Sequence, residues 1–366
     1  LAGEPAPYTI EPTLFDHQAP DLGLAPAPGT QTVTIFAPGP DRDSFNNGAV
    51  LIEFGGRLLA QWQSSAKDED SPDTRVLYAV SDDGLHWSAP VELAPAAPGA
   101  TMHSNGGWWR DGEHLVAFVN VWPDGFNKAA GGYTAYMTSG DGEHWSAMAR
   151  VTGAGGEPVE GVIEQDPHLY DGRLFTAFHE RPGIVAKPYF TDDPLGLRGW
   201  TQGRMDNLPV EGTMSREIEP SLFAAGDCLI MVFRDQASSY RQLAAESCDR
   251  GETWSIPVLT GMHDARAKQS AGNLPDGTAF IATAVNDDKL RIPLAVTLSA
   301  EGRQFTRSFL LRGEADLQPL RVEGRYKRPG YHYPKSLVAG GYLYVAYATN
   351  KEDIELTRVP LESLVP

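Results

Sequence analysis

Apolar positions along this chain fall in short runs, such as residues 75–80 (RVLYAV) and 228–233 (CLIMVF), each bounded by small and polar residues. The runs are too short for helices and rich in β-branched and aromatic side chains, which fit a pleated, half-buried surface. No stretch carries a helical period, so the pattern predicts an all-β chain.

The turns between the runs repeat. Gly55-Gly56, Asp111-Gly112, Asp171-Gly172, Ala225-Gly226, Asp276-Gly277 and Gly340-Gly341 each precede an aromatic-containing strand. Their second residues lie 56, 60, 54, 51 and 64 positions apart. A period of this size built from short strands predicts the blades of a propeller.

A second turn follows most copies. It reads Ser81-Asp82-Asp83-Gly84-Leu85-His86-Trp87, then Ser139-Gly140-Asp141-Gly142-Glu143-His144-Trp145, and is fullest from Ser247 to Trp254. Ser299 to Phe305 is a decayed version, and Thr191 to Trp200 a version with an insertion. Asp and Ser bond local amides, Gly takes positive φ and the aromatic tucks beneath the blade. The pattern resembles the Asp-box of sialidase-like propellers, which makes His86 and His144 turn residues rather than catalysts.

A repeat running from about residue 45 to 360 predicts one propeller domain over 1–366, with an irregular Pro-rich segment at 1–30. The last copy has room for three strands, and Gln31–Phe36 is the natural fourth, closing the ring. Acidic residues outnumber basic ones 48 to 30, a net charge of −18. That balance disfavours nucleic acid and anionic membranes as partners, and no segment is apolar enough to span a bilayer. The start at Leu1-Ala2-Gly3 suits a secreted, processed product. Pairing residue 234 with 241 sets 228 opposite 247, which favours a Cys228–Cys248 disulfide over two free thiols and fits an oxidising compartment.

In a propeller the early residues of each innermost strand face the axis. Counted back nine residues from the turn glycines stand Asn47, His103, Ile163, Glu217, Lys268 and His332. Two residues later come Ala49, Asn105, Gln165, Glu219, Ser270 and Pro334, flanked by Asn46, Arg216, Glu164, Gln269, Tyr331 and Tyr333. So polar a row predicts an axial binding pocket. Arg216, Arg234, Arg266 and Lys268 suit a carboxylate; the alternative is that Arg216 and Arg234 pair with Glu217, Glu219 or Asp235. Tyr331, Tyr333, Trp108 and Trp109 offer surfaces for sugar rings. Asn47, Asn105, Glu164, Gln165, His179, Glu219, Gln269 and His332 complete the expected substrate-binding set, and an acidic oligosaccharide or polysaccharide is the expected ligand.

Three chemistries compete for such a pocket. A sialidase needs an arginine triad, an Asp acid and a Tyr–Glu nucleophile pair, with an Arg-Ile-Pro motif in its first blade. Arg291-Ile292-Pro293 occurs here in the fifth repeat instead. A uronate lyase needs its carboxylate neutralised, by Arg216 among others, and one residue serving as base then acid; His103 has the right titration range, with His168, His179 and His332 as rivals. A lectin would bind without turnover. No cofactor is required, and a structural Ca²⁺ on the axis is the one metal considered.

Residues 68–78 (DEDSPDTRVLY), 216–222 (REIEPSL), 268–277 (KQSAGNLPDG) and 351–355 (KEDIE) resemble a group of β-propeller polysaccharide-active proteins. The group includes ulvan lyases, a propeller α-L-rhamnosidase and L-rhamnose-α-1,4-D-glucuronate lyases. Its rhamnosidase-like members carry a first-blade histidine where this chain has Asn46-Asn47, whereas His103 matches the histidine of the rhamnose–glucuronate lyases. The resemblance therefore implies a seven-bladed propeller, with a degenerate seventh blade drawn from residues 1–44 or 305–330. It also implies syn β-elimination at a rhamnose–glucuronate linkage, ahead of exo-hydrolysis or simple binding. The loop Trp122–Tyr133 is long enough to wall the pocket.

Overall fold

The computed structural model describes residues 5–39, 43–163, 167–209 and 212–365. The described residues form six antiparallel sheets in chain order. Blade 1 comprises Phe45–Phe54, Arg57–Ser65, Arg75–Ser81 and Val91–Ala94; blade 2 Met102–Asp111, His114–Trp122, Tyr133–Ser139 and Ala149–Arg150. In blade 3, Gly161–Ile163 and His168–Tyr170 both pair with Arg173–Glu180, followed by Val185–Thr191 and Thr201–Gln202. Blade 4 runs Glu217–Ala225, Cys228–Asp235, Arg241–Ser247 and Val258–His263. Blade 5 runs Ser270–Asn273, Ala279–Ala284, Leu294–Ser299 and Arg307–Arg312. Blade 6 is Tyr331–Ala339, Tyr342–Thr349 and Asp353–Pro360, with Gln31–Phe36 on its outer edge. The expected closure by the N-terminal strand is what the chain does.

The blades number six, not seven. Both stretches expected to supply a seventh are committed elsewhere. Gln304–Phe305 pairs in parallel with Thr9–Ile10, Arg307–Arg312 is the outer strand of blade 5, and residues 313–330 form a loop over the axis. The segment before residue 31 is irregular but packed: Tyr8 and Phe15 are buried with Phe223, Ile281 and Phe305 in the seam between blades 4 and 5.

Each seam between blades is a layer of apolar side chains from facing sheets. Between blades 1 and 2, Val50, Ile52, Leu59 and Tyr78 meet Trp108, Leu115, Ala117 and Val119. Trp62 and Trp108 are wholly buried, and each indole N–H finds an acceptor, Asn46 Oδ1 at 3.0 Å and the Val50 carbonyl at 3.0 Å. Burial of such side chains is worth roughly 1.5–3 kcal/mol apiece, so these seams hold the ring together.

The second turns have the expected construction. In the first, the Asp83 carboxylate accepts the amides of Leu85 and His86, both at 2.8 Å, and the Ser81 hydroxyl accepts that of Gly84 at 2.8 Å. Asp141 and Ser139 repeat this geometry. Gly84 has φ 72°, and a Cβ there would crowd Tyr344 and Leu58, so glycine is needed both for the turn and for its seat against the next blade. His86 and His144 stay exposed on the turns, as expected. Cys228 and Cys248 are bonded; Leu229 faces Ser247, so the register is one residue from the expected one and sets the two cysteines opposite each other.

Candidate functional site

Four innermost strands break their ladder at the same place. The register slips between Asn47 and Val50, Asn105 and Gly107, Ile218 and Ser221, and His332 and Lys335. At these bulges Gly48, Glu219 and Tyr333 have φ of 71°, 52° and 52°. A bulge re-aims side chains that a regular strand would alternate. Here it turns Glu219 from blade 4 and Tyr333 from blade 6 toward the axis.

The backbone at Glu219 is clamped from both sides. Its amide donates to His179 Nε2 of blade 3 at 3.1 Å, and its carbonyl accepts from Gln269 Nε2 of blade 5 at 2.8 Å. His179 and Gln269 are buried beneath the site; burial pushes the His179 imidazole down to about 4, so it stays a neutral acceptor. His332 does the corresponding work for two arginines. Its Nδ1 accepts from Arg291 Nη1 at 2.9 Å, so Nε2 carries the proton and donates to the Arg328 carbonyl at 2.9 Å. Burial, with Arg291 close by, keeps this histidine neutral well below the usual range.

Above these groups lies a cavity of about 650 Å³ on the axis. Among its described lining residues are nine cations, Lys128, Arg234, Arg266, Lys268, Arg291, Arg325, Lys327, Arg328 and Lys351, against the acids Glu69, Asp70 and Glu219. In a protein of net charge −18 this is a concentrated reversal of sign, and buried like charges demand an anion. Some are paired: Arg234 with Glu219 at 2.9 Å, Lys327 with Glu352 at 2.9 Å, and Lys351 with Glu69. Yet the Nε atoms of Arg234, Arg266, Arg291 and Arg328 are buried with no hydrogen-bond partner among the described residues. Burial pushes Arg291 down to about 10, with Arg234 and Arg328 adding repulsion, and burial and Arg234 lower Arg266 and Arg328 as well.

Tyr333 sits at the centre of this charge. Arg291, Lys268 and Lys351 lie 5.3, 5.6 and 5.8 Å from its ring centre. Burial and the Glu219 charge keep the phenol protonated well above its ordinary range. Burial alone would raise Glu219, but Arg234, Lys268 and Arg291 outweigh it and hold the carboxylate ionised. Asp70, on the loop after the second strand of blade 1, behaves oppositely: burial and neighbouring Glu69 raise it to about 7. The cavity thus pairs a protonated phenol and an ionised carboxylate with a second carboxyl that holds a proton near neutrality.

The expected site residues divide into three groups. Asn105, Glu219, Arg234, Arg266 and Lys268 line the cavity as anticipated. Asn47, His179, Gln269 and His332 are buried behind it; Asn47 Nδ2 reaches Glu69 Oε1 at 3.4 Å. Three do not belong to it. His103 turns away from the axis and bonds the Pro95 carbonyl at 2.9 Å, because Met102 and Ser104 on either side take the inward positions. Arg216 makes a two-pronged ion pair with Asp235 at 2.8 and 2.9 Å outside the cavity. Tyr331 is a core residue whose hydroxyl donates to the Gly313 carbonyl. Glu164 and Gln165 lie outside the described residues. Trp108 and Trp109 point into blade seams, bonded to Val50 and Pro194. Trp122, Phe126 and Lys128 of the expected loop wall do border the cavity.

Asp70, Arg291, Arg328 and Lys351 were not among the expected site residues. The Arg-Ile-Pro motif was the available signal for Arg291: its fifth-blade place does bring the arginine to the axis. Among the described residues, the groupings of His, Cys, Asp or Glu close enough to share an ion are His17–His263–Asp287 and Glu246 beside the disulfide; neither borders the cavity.

The profile of the BNR repeat-like domain family matches residues 56–345. No curated protein matches the chain. Among solved structures, a sialidase superposes with a TM-score of 0.67 and 18% identity over 97% of this chain; the chain spans 35% of that protein's length. An intramolecular trans-sialidase from Ruminococcus gnavus, solved with oseltamivir carboxylate, gives 0.67 and 14%, covering 91% of this chain and 98% of its own. A protein of unknown function from Dyadobacter fermentans gives 0.67 and 15%, covering 91% and 99%. The chain belongs to the BNR repeat-like domain family and folds as a sialidase-like, six-bladed β-propeller.

Proposed function

We propose that this protein is an exo-acting glycoside hydrolase that removes a terminal carboxylated sugar of the sialic acid kind. The observation that carries the reading is Tyr333 with Glu219 beside it, inside a ring of arginines from blades 4 and 5 and the loop before blade 6. The arginines Arg234, Arg291 and Arg328 take the sugar carboxylate; forked guanidinium–carboxylate bonds fix the ring as well as its charge. An anionic nucleophile would be repelled by that carboxylate, whereas a neutral phenol is not. Glu219 takes the phenol proton as the Tyr333 oxygen bonds to the anomeric carbon. Asp70 gives its proton to the departing glycosidic oxygen. In the second half a water, deprotonated by Asp70, displaces the tyrosine, and the proton returns from Glu219 to the phenol oxygen. The leaving oxygen is protonated and one water consumed, so the step balances.

The β-elimination reading shares the carboxylate site but loses its base, because His103 is directed out of the cavity. A secreted setting is supported by the Cys228–Cys248 bond, which suits an oxidising compartment. Incubation with sialyl- and glucuronate-terminated oligosaccharides separates the chemistries. Hydrolysis releases a saturated acidic sugar; elimination leaves an unsaturated uronate with its own ultraviolet absorbance, and that product would overturn the proposal.

A further inference from the structure

Two cations that line the cavity have no part in the proposed reaction. Lys128 and Arg325 act on Asp70, the residue that meets the leaving oxygen in the proposed reaction. Arg325 is fixed there by its backbone. Its amide donates to Asp68 Oδ1 at 2.7 Å, and its carbonyl accepts from the Glu69 amide at 3.3 Å. Gly324 lets the two loops touch, since a Cβ would fall 2.4 Å from the Lys67 carbonyl. Lys128 comes from the other side, on the loop after the second strand of blade 2, where its carbonyl accepts from Thr213 at 3.0 Å.

Their position works against the acid they surround. Positive charge favours the ionised carboxylate, so Lys128 and Arg325 each pull down the proton affinity that Asp70 needs. Lys351 also lowers Asp70 but is paired with Glu69, the charge that raises it, so Lys128 and Arg325 are the two cations beside Asp70 left to meet a bound anion. Neither is engaged in an ion pair among the described residues. In the proposed reaction the sugar carboxylate is already served by Arg234, Arg291 and Arg328 around Tyr333.

We infer that Lys128 and Arg325 form a second anion subsite on the leaving-group side, and that the preferred substrate carries a negative group, a sulfate ester or a carboxylate, on the penultimate sugar. This rests on the proposed reaction for its assignment of sides. The substrate class is thereby narrowed from acidic termini in general to termini borne on acidic glycans. When such a leaving group is bound its charge offsets the two cations, and Asp70 regains the proton affinity they remove.

The test compares 3′-sialyllactose with the same trisaccharide sulfated at the galactose 6-position. kcat/KM should be at least about tenfold higher for the sulfated compound, the scale of one added charge-assisted contact to the leaving group. The preference should shrink with added salt and collapse toward unity in Lys128→Gln/Arg325→Gln, whose backbone contacts are unchanged. Equal rates for the two compounds, or a preference that survives the double substitution, would overturn it. If neither compound is cleaved the hydrolase reading fails, and calorimetric binding of the two to the wild-type protein decides the subsite: tighter sulfated binding supports it, equal binding refutes it.

Discussion

Glu219 and Tyr333 occupy the same position in two different blades. Each is six residues before the end of its inner strand, at Ala225 and Ala339, and each has φ 52° at a ladder bulge. Neither residue type favours this region, and such strain, of order 1–3 kcal/mol per residue, persists where the surroundings impose it. The strain belongs to the site: without the bulge both side chains would sit on the alternating face of a strand. Aimed inward, they form the acid–base and nucleophile couple of the proposed reaction.

The pH dependence follows from Asp70 and Glu219. Asp70, raised to about 7, must be protonated in the first step, so kcat/KM should fall as pH rises through neutrality. Glu219, held low by Arg234, must be ionised, so activity should persist well below pH 6. A pH–rate profile checks both limbs. Asp70→Asn should remove the neutral limb along with most of the rate on substrates with poor leaving groups.

Arg291→Met should reduce kcat/KM by about 100-fold, the scale of losing one partner of a buried charge-assisted pair. Most of that loss should appear in KM if the arginine acts on the carboxylate in both ground and transition states. The blade core beneath it, with Leu294 and Val296 wholly buried, should keep the fold, which circular dichroism reports.

His103→Ala should retain activity within about twofold, since its imidazole bonds the Pro95 carbonyl and is not among the described residues that line the cavity. Steady-state kinetics on either acidic substrate suffices. This expectation reverses the one drawn from the sequence, and the cause lies in how turn residues are counted. The turn between Phe54 and Arg57 is Gly55-Gly56 and that between Ala225 and Cys228 is Gly226-Asp227. A count starting from the glycine begins on the second turn residue in blades 1 and 6 but on the first in blades 2 and 4. It therefore placed Asn47 and His332 level with His103 and Glu217, one residue out of phase. Counted from the strand ends, Gly48, Asn105, Glu219 and Tyr333 fall level, and all four line the cavity.

The architecture itself was legible because turn chemistry is local: Asp83, Asp141 and Asp249 each bond amides within four residues. Ring closure by Gln31–Phe36 was legible from strand counting. The blade number was not, since the seventh blade came from resemblance and residues 305–330 carry no pattern that excludes it. Asp70, Arg325 and Arg328 were missed for a different reason. They sit on loops whose approach to the axis depends on tertiary contacts such as Arg325 with Asp68.

Asp264 offers a stability prediction. It is buried, its Oδ1 accepts the Ala267 amide at 2.8 Å, and burial raises it to about 7 despite Arg234 and Arg291. A carboxyl whose folded value is raised contributes stability below its unfolded value near ~4, and that contribution is lost as pH rises toward 7. Asp264→Asn should accordingly raise the melting temperature by a few degrees at pH 8 and change it little at pH 4, as calorimetry would record.

Whether Tyr333 bonds covalently to the sugar is read out by trapping the intermediate. Incubation with a 3-fluorosialosyl fluoride, followed by digestion and mass spectrometry, should give a glycosyl adduct on the peptide containing Tyr333. The same treatment of Tyr333→Phe should give none, with activity on a sialylated substrate down by about a thousandfold or more. Full activity in Tyr333→Phe, or an adduct on a different residue, would contradict the account.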